Sequence, residues 1–164
     1  MQPLPQGAPA TLTEAFGYIT NLKTPSIEDM KVMVLVEAAS KNLYEAIAEA
    51  VSDPQAKALL QANGREELAH AHRVAKAIGA ITGTDYPVPS PEENPYLEAP
   101  LPTYTVNKAM LASLAAVEFA GDDLYGAWAE HCGNAEAAAL FRLNGREEIG
   151  HGERLQQASA LLAA

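Results

Sequence analysis

Apolar residues recur at intervals of three and four along four long stretches of the chain, which is the spacing of a buried helix face. These stretches cover residues 27–51, 54–81, 106–132 and about 134–163. Ser26 stands before the first stretch as an N-cap, and Asp53 and Pro54 open the second with a cap and a proline at the first helical position. Gly133 and Asn134 form a tight turn before the fourth. The pattern predicts four helices that short turns join in pairs.

Prolines separate the two predicted pairs. Six of them fall between Thr82 and Thr105, a density that forbids a helix interior and indicates an extended crossover over residues 83–105. The predicted fold class is all-α: an antiparallel four-helix bundle with the ferritin-like layout, over residues 26–164. Its two helical hairpins cover about 26–82 and about 106–163. Residues 1–25 are interpreted as an N-terminal arm, irregular but for one helical turn, that packs on the bundle or on a partner subunit.

The two predicted hairpins are copies of each other. Residues 63–67, with the sequence Asn-Gly-Arg-Glu-Glu, recur at 144–148, an offset of 81 positions. The same offset relates four further pairs: Glu37 and Glu118, Tyr44 and Tyr125, His70 and His151, Arg73 and Arg154. A duplicated structural hairpin without any site would also give such a repeat. The types of residue that are repeated must therefore decide whether the repeat carries a site.

Each apolar stripe has a glutamate in its middle, and two of the stripes add a histidine. The six residues are Glu37, Glu67, His70, Glu118, Glu148 and His151. These residues are unfavourable in an apolar core, because burying an unpaired carboxylate costs several kcal/mol and four such groups would repel one another. Two divalent cations remove the conflict, since four carboxylates balance their charge and two imidazoles complete the ligand shells.

The spacing of these residues also fits a metal centre. Glu67 and His70 lie three residues apart, as do Glu148 and His151, so each pair can reach a common ion. One glutamate from each of two helices and Glu-x-x-His from each of the others is a known dimetal constellation of helix bundles. Oxygen and imidazole ligands without sulfur favour iron or manganese. Spacing alone does not choose between the two metals, so two iron ions, two manganese ions or a mixed iron–manganese pair all remain candidates.

Four further residues of the repeat lie on the same stripes. Tyr44 and Tyr125 either donate a hydrogen bond to a ligand carboxylate, serve as redox-active phenols, or are ordinary buried tyrosines. Asn63 and Asn144 stand one turn before the ligand glutamates and either orient them or are tolerated polar residues. These four residues are the predicted second shell of the centre.

Two glutamates of the repeat fall off the apolar stripes. Glu66 and Glu147 each come directly before a candidate ligand and point away from its face. We interpret them as surface or helix-pairing charges. No role at the metal centre is predicted for them.

Charge and composition exclude several function classes. With 21 acidic and 11 basic residues the chain has a net charge of −10, which makes it a poor binder of nucleic acid or of an anionic membrane. Cys132 is the single cysteine, so no internal disulfide is expected. The N-terminus has no pattern of a secretion signal, and no long uncharged apolar run predicts a membrane span. A cytoplasmic protein is expected.

With these motifs the sequence resembles the ferritin-like superfamily, and within it the rubrerythrin-like branch. The resemblance covers about residues 27–82 and 106–163 and rests on the two Glu…Glu-x-x-His halves. It implies that the bridging and terminal carboxylates of the family fall on Glu37, Glu67, Glu118 and Glu148, and its histidine ligands on His70 and His151. It also implies that ferrous ions react with dioxygen or peroxide, and that the chain forms a homodimer.

The sequence departs from the rubrerythrin pattern in two places. Rubrerythrins proper carry a rubredoxin-like domain that binds metal through cysteines, whereas this chain has only Cys132. We therefore expect no built-in electron relay. They also carry an extra glutamate one turn after the ligand of the third helix, and here Gly121 stands at that place, followed by Asp122. Both departures argue against the peroxidase route of rubrerythrins.

The leading functional hypothesis is a diiron carboxylate protein that reacts with O2 or peroxide, as a ferroxidase or peroxidase, with an external electron donor if it is catalytic. An iron-binding or buffering protein without turnover is the alternative, because the sequence offers no obvious additional substrate cavity. Two further hypotheses are a hydroxylase of an organic substrate and a bundle that acts through an interaction surface such as the N-terminal arm.

Overall fold

A computed structural model describes residues 1–162, and within them it contains five α-helices and no strand. The helices are α1 (Leu12–Ile19), α2 (Ile27–Glu49), α3 (Pro54–Thr82), α4 (Lys108–His131) and α5 (Ala135–Leu161). A short 3₁₀ helix, Pro95–Leu97, lies between α3 and α4. The predicted ends of the second hairpin at 163 and of the bundle at 164 lie outside the described residues. The all-α class is confirmed, and no helix of residues 1–162 is both long and apolar enough to cross a membrane.

Capping residues fix the ends of the long helices. The Ser26 hydroxyl accepts a hydrogen bond from the backbone N–H of Asp29, and the Asp29 carboxylate accepts one in return from Ser26. The Asp53 carboxylate caps α3, which ends at Gly83 in the left-handed conformation with φ of 72°. The Asn107 side chain caps α4. Because these caps compete with further helical turns, α2 ends two residues before the predicted bound at 51 and α4 begins two residues after the predicted bound at 106.

Helix α1 lies in the predicted N-terminal arm and is longer than the single turn expected there. A capping box at Thr11 begins it, and Ala15 and Ile19 bury one face against the rest of the molecule. The indole N–H of Trp128 in α4 donates a hydrogen bond of 2.6 Å to the carbonyl of Leu22, just after the helix. The arm is therefore attached to α4 as well as packed on α2.

The four long helices pack unevenly. Helix α2 packs along α3, α4 along α5, and α3 along α5, whereas α2 and α4 have no comparable contact within residues 1–162. Two apolar clusters fill the interior, one around Trp128 and Phe141 and the other around Ile47, Leu60 and Leu155. Five of the six candidate ligands lie on the helix segments between these two clusters, and Glu37 lies at the inner edge of the first cluster, beside Ala38 and Ala39. The fold therefore places a polar layer between two apolar ones.

Candidate metal centre

Two helices bring four of the candidate ligands together. Each of these four residues offers one ligand atom within 4.8 Å of the others, and all four are buried: Glu67, His70, Glu148 and His151. Helix α3 supplies the first pair and α5 the second, because the spacing of three residues puts each pair on one helix face. This group could hold a metal ion.

The remaining two candidates come from α2 and α4 and lie at the edge of this group. The Glu37 carboxylate is 3.8 Å from Nδ1 of His70, and the Glu118 carboxylate is 3.4 Å from Nδ1 of His151. The structure therefore brings all six predicted residues into one polar layer. Whether each of them binds a metal stays a prediction.

Each histidine is held by a glutamate of the opposite helix: His70 by Glu147 and His151 by Glu66. Nε2 of His70 lies 3.1 Å from a carboxylate oxygen of Glu147, and Nε2 of His151 lies 3.2 Å from one of Glu66. Since an ionised carboxylate only accepts hydrogen bonds, Nε2 carries the proton in both rings. The two rings stack with centroids 5.0 Å apart. Their Nδ1 atoms consequently face the carboxylates of the polar layer.

Those Nδ1 atoms are buried and have no hydrogen-bond partner among residues 1–162. Each lies 3.3 Å from one carboxylate oxygen of Glu148, but in an orientation that makes no hydrogen bond. A buried polar atom without a partner is costly. Two such nitrogen atoms among four carboxylates are typical of a site that binds cations. The residues therefore fit a metal centre.

Two arginines complete the support of the histidines. Nη1 of Arg73 donates to Glu147 at 2.6 Å and to the Asn144 side-chain oxygen at 3.0 Å. The hydrogen bond with His70, followed by that from Arg73, lowers the pKa of Glu147 to about 2. The other half repeats the arrangement with Arg154, Glu66 and Asn63. The structure thus gives each histidine a charged support that spans α3 and α5.

The asparagines act on the histidines more directly than on the glutamates. The side-chain amide of Asn63 donates to the carbonyl of His151 at 3.2 Å, and that of Asn144 donates to the carbonyl of His70 at 3.4 Å. The sequence interpretation had them orient the ligand glutamates one turn away. In the structure they instead tie each histidine backbone to the opposite helix.

The tyrosines bond carboxylates across the bundle. The Tyr44 hydroxyl donates to Glu118 at 2.5 Å, and the Tyr125 hydroxyl donates to Glu37. Each tyrosine thus reaches a carboxylate from the other half of the repeat, not the one two turns before it on its own helix. Both phenols are buried, and burial together with the adjacent carboxylate raises the pKa of each well above its usual value.

Crowding of the carboxylates shifts their proton affinities. Burial, with Glu118 as a neighbour, raises the pKa of Glu67 to about 7, and burial likewise raises that of Glu148 to about 7. Burial and the nearby Glu67 raise the pKa of Glu37 well above its usual value. Burial disfavours the charged form of His70, but Glu147 and the other carboxylates outweigh it and raise that pKa to about 9. Without a cation, protons must balance this concentration of negative charge.

Sequence reasoning missed the support of the histidines. Glu66 and Glu147 do pair helices, as expected, but they also contact His151 and His70, and this contact was not predicted. The interpretation as helix-pairing charges is therefore confirmed, and the contact with the histidines adds to it. The signal was present, because both glutamates belong to the exact five-residue repeat.

The packing around Gly121 explains why no glutamate stands one turn after Glu118, which is one of the two departures from the rubrerythrin pattern. A Cβ atom at this position would lie 2.8 Å from Cγ of Glu148, closer than side chains tolerate. The packing of Glu148 against α4 thus requires a residue without a side chain. A glutamate one turn after Glu118 has no space in this arrangement.

A cavity adjoins the carboxylates, although the sequence had offered no obvious one. Its volume is about 360 Å³, and α1, α2 and α4 line it on the side where α2 and α4 do not pack closely. Glu37, Glu67, Glu118 and Glu148 contribute to its wall, and most of the remaining wall is apolar. The polar layer is therefore reachable from a space that a small molecule can occupy.

Comparison with known proteins agrees with the resemblance seen in the sequence. A family model described as rubrerythrin matches residues 33–159, well over half of the chain. No curated protein and no solved structure that was compared with the chain gave a match. The match spans all four long helices except the first turns of α2 and the end of α5. The chain belongs to the rubrerythrin family, whose ferritin-like members are diiron carboxylate proteins.

Proposed function

We propose that the chain binds two metal ions through six residues and uses them to react with O2 or peroxide. The proposed ligands are Glu37, Glu67, His70, Glu118, Glu148 and His151. The observation that carries the proposal is the pair of buried Nδ1 atoms without hydrogen-bond partners in residues 1–162, both facing the carboxylates. Each histidine has its Nε2 proton fixed by a glutamate, which leaves Nδ1 free to bind a cation.

Iron is the proposed metal, with manganese or a mixed pair as the alternatives. Four carboxylates balance the charge of two divalent cations, and the ligand set of oxygen and imidazole without sulfur suits iron and manganese. When bound, the ions supply one-electron redox chemistry that the side chains lack. Electrons for more than one turnover come from an external donor in this proposal.

The protein residues prepare and protect this centre. Glu66 and Glu147 hold the Nε2 protons of the histidines, and the arginines behind them donate hydrogen bonds that keep those carboxylates in place. Tyr44 and Tyr125 fix the orientation of two carboxylates from the other half of the repeat. The apolar clusters above and below shield the polar layer from water on those two sides.

The proposed architecture behind the site is an antiparallel four-helix bundle built from two duplicated hairpins. Its support is that α2 and α3, joined by a short turn, cross the two apolar clusters in opposite order, and α4 and α5 do the same. The matching supports of His70 and His151 favour the duplication. A symmetrical site then arises from one ancestral hairpin used twice.

Oxidant consumption tests the proposed reaction. Protein loaded with Fe(II) is mixed with O2, and separately with hydrogen peroxide, with and without an excess of a chemical reductant. We expect sustained consumption that Glu118→Ala abolishes, while the exposed control Glu130→Ala retains it. Oxidant consumption that stops once the added iron is oxidised would support the alternative of an iron-binding or buffering protein. No consumption by Fe(II)-loaded protein would overturn the proposed reactivity.

The cavity favours one second candidate, a hydroxylase of an organic substrate. An apolar space next to a dimetal centre can hold a substrate within reach of the ions. Faster oxidant consumption in the presence of a bound organic molecule would distinguish this candidate from a ferroxidase or peroxidase.

A further inference from the structure

We infer that the cavity between α1, α2 and α4 binds a small, neutral, apolar organic molecule, with one end of that molecule at the carboxylates. Binding of the molecule depends on the protein alone, whereas its role as a substrate of the metal centre rests on the proposed function. An apolar cavity of about 150 Å³ is enough to hold benzene. A cavity of about 360 Å³ therefore has room for a molecule larger than a single ring.

Between its two ends the wall of the cavity is apolar and buried. Ile19, Met33, Val36 and Leu124 line it, and their exposed fractions are 2, 3, 2 and 8 %. Side chains so well shielded belong to a recess inside the bundle, not to a groove on its surface. A recess of this kind fits a small molecule better than the helix of a second protein chain.

The hydroxyl groups of the wall already have partners. Ser40 donates its hydroxyl proton to the carbonyl of Val36 at 3.0 Å. Tyr44 and Tyr125 donate theirs to carboxylates of the polar layer. With its hydroxyl donors engaged, the wall has little to offer a polar ligand, and this favours an apolar one.

The inner end of the cavity determines the charge of the ligand. Carboxylates of Glu37, Glu67, Glu118 and Glu148 line that end. An anionic molecule would meet repulsion from them, and without metal a cation would compete for the place of the ions. A neutral molecule avoids both conflicts.

The outer end opens to solvent between α1 and α4. Gly17 of α1, Thr20 just after it, and Val117 and Ala120 of α4 line the cavity and are exposed, and Val117 has an exposed fraction of 48 %. A molecule can enter here without unfolding a helix. A larger side chain at Val117 should close this entrance while it leaves the core unchanged.

Binding of a neutral fluorescent probe tests the inference. N-phenyl-1-naphthylamine, whose emission rises in apolar surroundings, is titrated into the metal-free wild-type chain and into two variants. We expect saturable binding of one probe per chain, weakened about tenfold or more by Val117→Phe. Ala116→Phe is the matched control, since Ala116 is exposed on the same helix and lies outside the cavity wall. Leu114→Phe, within the wall, provides a second block if Val117→Phe fails to fold.

Two results would overturn the inference. One is the absence of saturable probe binding by the wild type. The other is an affinity that stays the same in Val117→Phe and Leu114→Phe as in Ala116→Phe. If the wild type binds no probe and sediments as a dimer that Val117→Phe separates, this side of the bundle is an interface between two copies of the chain and not a ligand site.

Paramagnetic relaxation locates the inner end of the bound molecule. Cyclohexanol is added to protein loaded with Mn(II), and its proton relaxation is compared with that in Zn(II)-loaded protein. We expect faster relaxation with Mn(II), which Val117→Phe suppresses and Ala116→Phe leaves intact. Bound Mn(II) without this effect would overturn the placement of the ligand at the carboxylates. If the probe binds but neither Fe(II) nor Mn(II) does, the proposed function fails while the binding site stands.

Discussion

The Tyr44 hydroxyl donates a hydrogen bond of 2.5 Å to the Glu118 carboxylate, 74 residues further along the chain. Tyr125 makes the equivalent bond to Glu37. Each bond joins α2 to α4 on the side of the bundle where these helices do not pack closely. The tyrosines thus fix the positions of two proposed ligands and hold this side of the bundle together.

Loss of either tyrosine hydroxyl should weaken metal binding. In Tyr44→Phe the Glu118 carboxylate loses its donor, and in Tyr125→Phe the same happens to Glu37. Removal of such outer partners lowers metal affinity by roughly 10–100-fold. Competition with a chelator of known affinity measures the change.

Tyr96→Phe is the matched control for both tyrosine variants. Tyr96 is also buried, and its hydroxyl donates to the carbonyl of Pro9, away from the polar layer. We expect its metal affinity to equal that of the wild type. If all three variants lost metal affinity equally, the hydroxyls of Tyr44 and Tyr125 would affect metal binding only through the stability of the fold.

Glu147 should matter for metal binding even though it is not a proposed ligand. In Glu147→Ala the Nε2 proton of His70 loses its acceptor and Arg73 loses its ion pair. The imidazole is then free to rotate, and affinity should fall roughly 10–100-fold. Glu153→Ala, an exposed glutamate of the same helix, is the control. A titration in which the two variants bind metal equally would contradict the role given to Glu147.

Gly121 and Gly126 should respond in opposite ways to alanine. The added Cβ in Gly121→Ala would lie 2.8 Å from Cγ of Glu148, so we expect overpacking that costs about 1–3 kcal/mol together with weaker metal binding. At Gly126 a Cβ meets no atom of residues 1–162 within 4 Å. Alanine there should stabilise the helix by roughly 0.5–1 kcal/mol. Denaturant melts of the metal-free proteins compare the two; a neutral Gly121→Ala would show that Glu148 is free to move away.

Metal ions should stabilise the folded chain. A ligand that binds only the native state adds about 2.7 kcal/mol at one hundred times its Kd. Fe(II) under anaerobic conditions, or Mn(II), should therefore raise the melting temperature of the wild type. The increase should be smaller in Glu118→Ala, which lacks one proposed ligand. An unchanged melting temperature in the wild type would favour a bundle that works without metal.

The sequence predicted the helices because their ends carry local signals. Ser26, Asp53 and Gly83 act through contacts within a few residues, so their effect can be read from neighbouring positions. The length of α1 was underestimated, since that helix is stabilised by packing on α2 and by the bond from Trp128 beyond it. Such contacts depend on how distant segments meet.

For the candidate site, too, local spacing predicted one part, and the packing of distant helices determines the rest. Helical spacing and the 81-residue repeat were enough to select the six residues that the structure brings into one layer. The rotation of α3 against α5 decides that Glu147 reaches His70, and no spacing within one helix contains that information. The cavity was missed for the same reason, because it results from the distance between α2 and α4.

Anomalous diffraction at the iron and manganese absorption edges tests the metal centre most directly. Crystals of the protein purified with Fe(II) or Mn(II) should show two ions per chain, in contact with Nδ1 of His70 and of His151 and with the four carboxylates. Glu118→Ala should lower the occupancy of the ions. Crystals without anomalous signal in the polar layer, or a Glu118→Ala variant that keeps both ions at full occupancy, would contradict the proposed ligand set.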